Sequence, residues 1–152
     1  MLRLLLQVLS FAGLLLAFYF TLAYYGRVRK ARWVPEILCP RQGSSCVTVV
    51  QSPYARLFGV PNSLLGIVYY LLVMGWSVLG WKPWVVWNGI ALPPVWMTVR
   101  PLIAISAATV ILGGYLIHAL RQRLRVDCPL CYTAHAINAA LLILLIDAAW
   151  GA

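Results

Sequence analysis

At 152 residues, 63% of them hydrophobic and only 10% charged, the chain is too apolar for an ordinary soluble domain, which is roughly half apolar and a quarter charged. Twelve basic residues against three acidic ones give a net charge of +9. So few charged groups cannot solvate a surface around this much apolar side chain (mean hydropathy +0.88), so lipid must cover it.

A membrane span needs about 20 apolar residues to cross about 30 Å of hydrocarbon. Lipid offers no hydrogen bonds to an open backbone, so such spans are helices. Leu4–Tyr25 is the first. Arg3 followed by an apolar run fits the opening of a secretory signal. The run of 22 residues is too long for one, however, and bulky Tyr24 and Tyr25 stand where small residues should precede cleavage. The sequence predicts a retained span.

A loop of 38 residues, Gly26–Ser63, follows, opening on Arg27, Arg29, Lys30 and Arg32. It is long enough to fold over the mouth of a helix bundle, and it carries Cys39 and Cys46. Ser52-Pro53 reads as a helix N-cap with proline at the first helical position. The expected short helix is Pro53–Phe58, stopped at Gly59. Leu64–Trp81 is the second span, and Tyr69 and Tyr70 within it read as packing residues. Trp84–Val99 is apolar, but it has 16 residues and is interrupted by Pro93-Pro94. Its Trp84, Trp87 and Trp96 suit a membrane–water interface, so an interfacial segment is expected there. Leu102–Leu120 and Tyr132–Trp150 complete four spans. The expected architecture is a single all-α membrane domain over 1–152, a four-helix bundle capped by the long first loop.

The four cysteines fall into two close pairs. Cys128-Pro129-Leu130-Cys131 opens the last span, with Pro129 suited to a first helical turn. A helix N-terminus presents unpaired N–H groups and partial positive charge, which stabilise a thiolate, the reactive form of cysteine. His135 follows Cys131 by four residues and Cys128 by seven, so all three lie near one helix face. Cys39 and Cys46 are separated by six residues including Gly43 and two serines, flexible enough for their sulfurs to meet. Two dithiol pairs at a membrane point to disulfide relay chemistry, in which exchange runs through a mixed disulfide. Four cysteines also allow a zinc site and a metal-binding protein without turnover, although the C-x6-C spacing is loose for that. No nucleic-acid partner is expected.

The order of motifs is a loop cysteine pair, Ser52, Phe58-Gly59, Pro61-Asn62-Ser63-x-x-Gly66 entering a span, then C-P-L-C opening the last span. This order resembles the vitamin K epoxide reductase family, including its prokaryotic disulfide-forming members, over about residues 10–150. The bacterial disulfide-bond protein B family has its C-x-x-C in the first half, the reverse of the order here. The resemblance implies a bundle around a quinone of ubiquinone or menaquinone type, and an enzyme that drives protein disulfide formation. It implies that Cys39 exchanges with a thioredoxin-fold partner, that Cys46 passes electrons to Cys128, and that Cys131 reduces the quinone. It further implies that Ser52 lies near the relay and that Asn62 bonds the quinone. His135 stands where vertebrate members carry a quinone-bonding tyrosine, and imidazole could donate the same hydrogen bond. Many bacterial members carry a fused thioredoxin-like domain. The chain ends at Ala152, so a separate partner is expected. The chemistry requires a quinone, not vitamin K epoxide in particular.

Charge fixes the expected orientation in the cell membrane. The two loops on the cysteine side carry Arg27, Arg29, Lys30, Arg32, Arg41, Arg56, Arg121, Arg123 and Arg125, against Arg3, Lys82 and Arg100 on the other. The positive-inside rule then turns the cysteine loops toward the cytoplasm, opposite to most of the family.

Overall fold

The computed structural model describes residues 1–27, 49–57, 59–79, 86–87, 90–91, 95–125 and 128–150. Cys39 and Cys46 lie outside the described residues. Four helices among those described are long and apolar enough to cross a membrane. These are α1 (Leu2–Tyr24), α2 (Asn62–Leu79), α3 (Val95–Ala119) and α4 (Pro129–Trp150). Each rises 1.5 Å per residue, so the 18 residues of α2 reach about 27 Å, just enough for the hydrocarbon layer.

Three of the four spans fall within three residues of the expected ends, because lipid demands apolar side chains all around the helix. The third differs. It starts at Val95 and runs through Pro101, then adds a π-helical turn, Leu120–Leu124. Arg100-Pro101 reads as a boundary, yet proline removes only one backbone donor and the apolar sequence on both sides carries the helix across it. Arg125 ends the π turn in the left-handed region (φ 50°), its N–H bonded to the Leu120 carbonyl.

Of the 84–99 stretch, residues 95–99 already belong to α3, and the part described before them is extended. Val86–Trp87 (β3) pairs antiparallel with Ile90–Ala91 (β4), and the chain then enters α3. The expected helix at 53–58 is corrected. Pro53–Ala55 makes one 3-10 turn, and Arg56–Leu57 (β1) then pairs antiparallel with Val60–Pro61 (β2). Gly59 has φ +82°, so it turns a hairpin instead of stopping a helix. Ser52 does occupy the cap position, with extended backbone before Pro53, but its hydroxyl donates back to the Val49 carbonyl at 2.7 Å and not forward into the turn.

α1 packs mainly on α2 and α4, and α3 packs on α4, whereas α2 and α3 meet over far less of their length. The α1 face toward its neighbours is small: Ser10, Gly13 and Ala17 are buried, the residue type that lets membrane helices approach closely. Thr21 adds a hydroxyl contact to Ser63 Oγ at 3.0 Å. Leu4, Val8, Phe11, Leu15 and Phe18 are exposed on α1, as are Val68, Leu71 and Leu72 on α2, where lipid receives them. A second apolar cluster sits at the cysteine end, where Phe20, Ala23, Val50 and Leu120 surround Cys128 and Cys131. Arg56 lies 5.4 Å above the Tyr24 ring and Arg121 lies 5.5 Å above the Tyr132 ring, each tying a connecting segment to a helix end.

Candidate active site at the start of the last helix

Cys128 is the residue from which α4 starts. Its carbonyl accepts the N–H groups of Cys131 at 3.0 Å and Tyr132 at 3.2 Å. Pro129 takes the first helical position at no cost, since its missing N–H would have had no helical partner there. Cys131 therefore lies one turn in, and its Sγ donates to Cys128 Sγ across 2.7 Å. Both are thiols and both are buried. A disulfide has its sulfurs about 2.05 Å apart, so a small movement suffices to join them.

The same geometry sets the acidity of Cys128. The Cys131 thiol is the main cause, pulling the Cys128 thiol down to about 7, and the Cys131 and Leu130 N–H groups pull the same way. Burial opposes them and loses. Cys128 is thus the thiolate of the pair near neutral pH, held by the otherwise unpaired donors of the helix start.

Cys131 faces a cavity of about 140 Å³ at the cysteine end of the bundle. Its walls are overwhelmingly apolar and include Phe20, Val49, Val50 and Leu116. An engineered apolar cavity of roughly 150 Å³ takes up benzene, so there is room for a ring. A larger cavity, about 450 Å³, opens beside it where α2 and α3 separate. The two share Asn62, Gly66, Tyr70, Leu116, His135 and Asn138.

Four residues of the first cavity's wall come from one stripe of α4. Cys131, Ala134, His135 and Asn138 line the first cavity at helical spacing i, i+3, i+4 and i+7. His135 Nδ1 is buried and has no hydrogen-bond partner. That edge of the ring lies over Gly113, where a Cβ would stand 2.6 Å from Nδ1. A neutral imidazole carries one N–H donor, and with the proton on Nε2 that nitrogen would be the donor His135 brings to the cavity it lines. The residues present thus fit an apolar ring with hydrogen-bond acceptors.

Asn62, at the start of α2, also lines the cavity, and its amide donates to the Tyr54 carbonyl at 3.4 Å. Ser52 is not brought to the cavity. Its hydroxyl donates to the Val49 carbonyl, beside the wall that Val49 and Val50 form. Among the described residues, no three His, Cys, Asp or Glu side chains converge as a metal site requires.

Sequence reasoning missed two members of the wall, Tyr70 and Asn138. The Tyr70 hydroxyl donates to Asn138 Oδ1 at 2.7 Å. The available signal was Asn138 itself, an amide in an apolar span about two turns from Cys131 on the same face.

Alkylation of Cys128 in the reduced protein should therefore show its midpoint near pH 7, with the rate falling below that pH as the thiolate is protonated. Cys131→Ala removes the donor and should move the midpoint up toward the ordinary thiol value of about 8.5. Iodoacetamide labelling followed by mass spectrometry measures both.

No curated protein matches the chain. The model of the vitamin K epoxide reductase family does match it, over residues 4–146. With nearly its whole length covered, and a dithiol seated at the mouth of a four-helix membrane bundle, the chain belongs to the vitamin K epoxide reductase family.

Proposed function

We propose that this protein is a quinone-dependent thiol oxidoreductase that reoxidises a separate thioredoxin-fold partner and so drives disulfide formation in client proteins. The observation that carries this reading is Cys131, on the wall of an apolar ring-sized cavity and bonded to a partner thiol that ionises near neutral pH. The second cavity supports it. Exposed Leu65, Val68 and Leu72 line that space, which suits an isoprenoid tail reaching out to lipid.

The chemistry balances without a further reactant. Joining Cys128 and Cys131 as a disulfide releases two electrons and two protons, and a quinone bound beside Cys131 takes up both as it becomes the hydroquinone. His135 Nε2 and the Asn62 amide hold the ring oxygens, and the apolar walls exclude water. The disulfide is then returned to the loop pair. The Cys46 thiolate attacks Cys128 Sγ, which breaks the Cys128–Cys131 bond and frees Cys131. Cys39 attacks Cys46 in turn, and Cys128 leaves. The more acidic thiol, the one of lower pKa, leaves fastest in such exchange, and the Cys128 pKa is pulled down to about 7 by its neighbours. The Cys39–Cys46 disulfide passes to the partner when a partner thiolate attacks Cys39.

We further place the cysteine loops on the cytoplasmic side. The support is the excess of nine basic residues over three, as named above, in loops short enough for charge to decide orientation.

Two measurements check these proposals. With quinone absorbance as the readout, Cys131→Ala should abolish reduction with any reductant. Cys39→Ala should block turnover with a reduced thioredoxin-like protein and leave turnover with dithiothreitol intact; equal loss with both reductants contradicts the shuttle. A reporter fused after Ala152 should be active only outside the cytoplasm, and cytoplasmic activity would contradict the orientation.

A further inference from the structure

Of the polar side chains on the cavity wall that remain when Cys131, His135 and Asn62 have their roles, Asn138 is the one on the α4 stripe. Asn138 stands seven residues after Cys131, so it lies about 10 Å deeper along the same stripe of α4. Tyr70 reaches it from α2. The phenol is buried, with 3% of its surface exposed, and donates to Asn138 Oδ1 at 2.7 Å.

That bond decides how the amide faces. A donating hydroxyl bonds only the carbonyl oxygen of the amide, so Nδ2 turns the other way with both its N–H donors. Among the described residues Nδ2 has no hydrogen-bond partner, and it is not sealed into protein as His135 Nδ1 is. Asn138 borders both cavities. An amide donor facing apolar walls with nothing to bond is costly, and a ligand oxygen removes that cost.

The phenol is itself held. Its ring lies over Gly13 of α1, where any Cβ would run into it. Its other neighbour is the Tyr69 ring, centred 5.2 Å away, and the Tyr69 hydroxyl is fixed to Ser106 Oγ at 2.9 Å. Tyr70 is thus placed by α1, α2 and α3 together before it orients Asn138.

We propose that Asn138 is a quinone-positioning residue, its Nδ2 group aimed by Tyr70 to donate a hydrogen bond to an oxygen of the quinone ring. This rests on the quinone reading above. Asn138 and His135, three residues apart, are neighbours on the helix surface at about 5–6 Å, close enough to reach one ring, and each ring oxygen has two lone pairs, so Asn138 can share an oxygen with His135 or Asn62. Asn62 already spends an N–H on Tyr54, whereas Asn138 has both free for the ligand.

The test uses the full-length protein in detergent, dithiothreitol as reductant and a short-chain naphthoquinone as probe. It reads kcat, KM and the infrared carbonyl bands of the bound probe. Asn138→Leu should raise KM about tenfold, the weight of one hydrogen bond, and return a carbonyl band toward the free-probe position. Tyr70→Phe should do the same to a smaller extent, and the double variant should match Asn138→Leu alone, because Tyr70 acts through Asn138. The alkylation rate of Cys128 without quinone should be unchanged in all three. If Asn138→Leu disturbs that rate, Tyr70→Phe decides, and an unmoved carbonyl band there overturns the proposal. Unchanged KM and bands in Asn138→Leu, or additive losses, overturn it while wild-type turnover stands. Wild-type protein that neither reduces the probe nor shifts its bands would overturn the quinone reading and this inference with it.

Discussion

The first turn of α4 has backbone N–H groups with no helical partner, and Cys128 sits where they converge. Its carbonyl starts the helix and its sulfur receives the donors of the first turn, so one residue sets both the fold of the segment and the charge state of the thiol. Cys131 follows one turn later and cannot avoid facing its partner. His135 and Asn138 then fall on the same stripe by helical spacing alone. Moving the helix start by one residue would rotate that stripe by about 100° and turn Cys131 away from the cavity.

The cavity exists because the bundle is unevenly packed. α1 closes tightly on α2 through a face of small residues, and α4 closes on α3, but α2 and α3 stay apart. Membrane helices gain little by burying apolar surface against one another, since lipid is as apolar as they are. Such a gap therefore costs less here than a void in a soluble core. Glycines enlarge it locally: Gly113 leaves room for the imidazole, and Gly13 leaves room for the Tyr70 ring on the other side. The polar groups that remain are spaced along the wall, Asn138 held by Tyr70 of α2 and Asn62 by the Tyr54 carbonyl.

Most of the fold was legible because lipid imposes a strong pattern. Four apolar runs gave four helices, and C-P-L-C followed by His135 gave the reactive face of α4. The misreadings have local causes. Gly59 reads as a helix stop, but over the five residues from Pro53 to Leu57 the segment makes one 3-10 turn and enters a two-residue hairpin, for which a left-handed glycine is needed. Arg100-Pro101 looked like a membrane boundary, although a helix continues through it. Tyr70 and Asn138 were invisible as a pair because their contact joins residues 68 positions apart, which no periodicity within one helix reveals.

The most direct measurement is a single turnover. The 152-residue chain carrying Cys39→Ala and Cys46→Ala, which leaves Cys128 and Cys131 as the cysteines of that sequence, would be reduced, freed of reductant and mixed anaerobically with excess quinone. The account predicts one quinone reduced per protein, with loss of both thiols as a disulfide. Thiols that survive the mixing, with the quinone still oxidised, would contradict it.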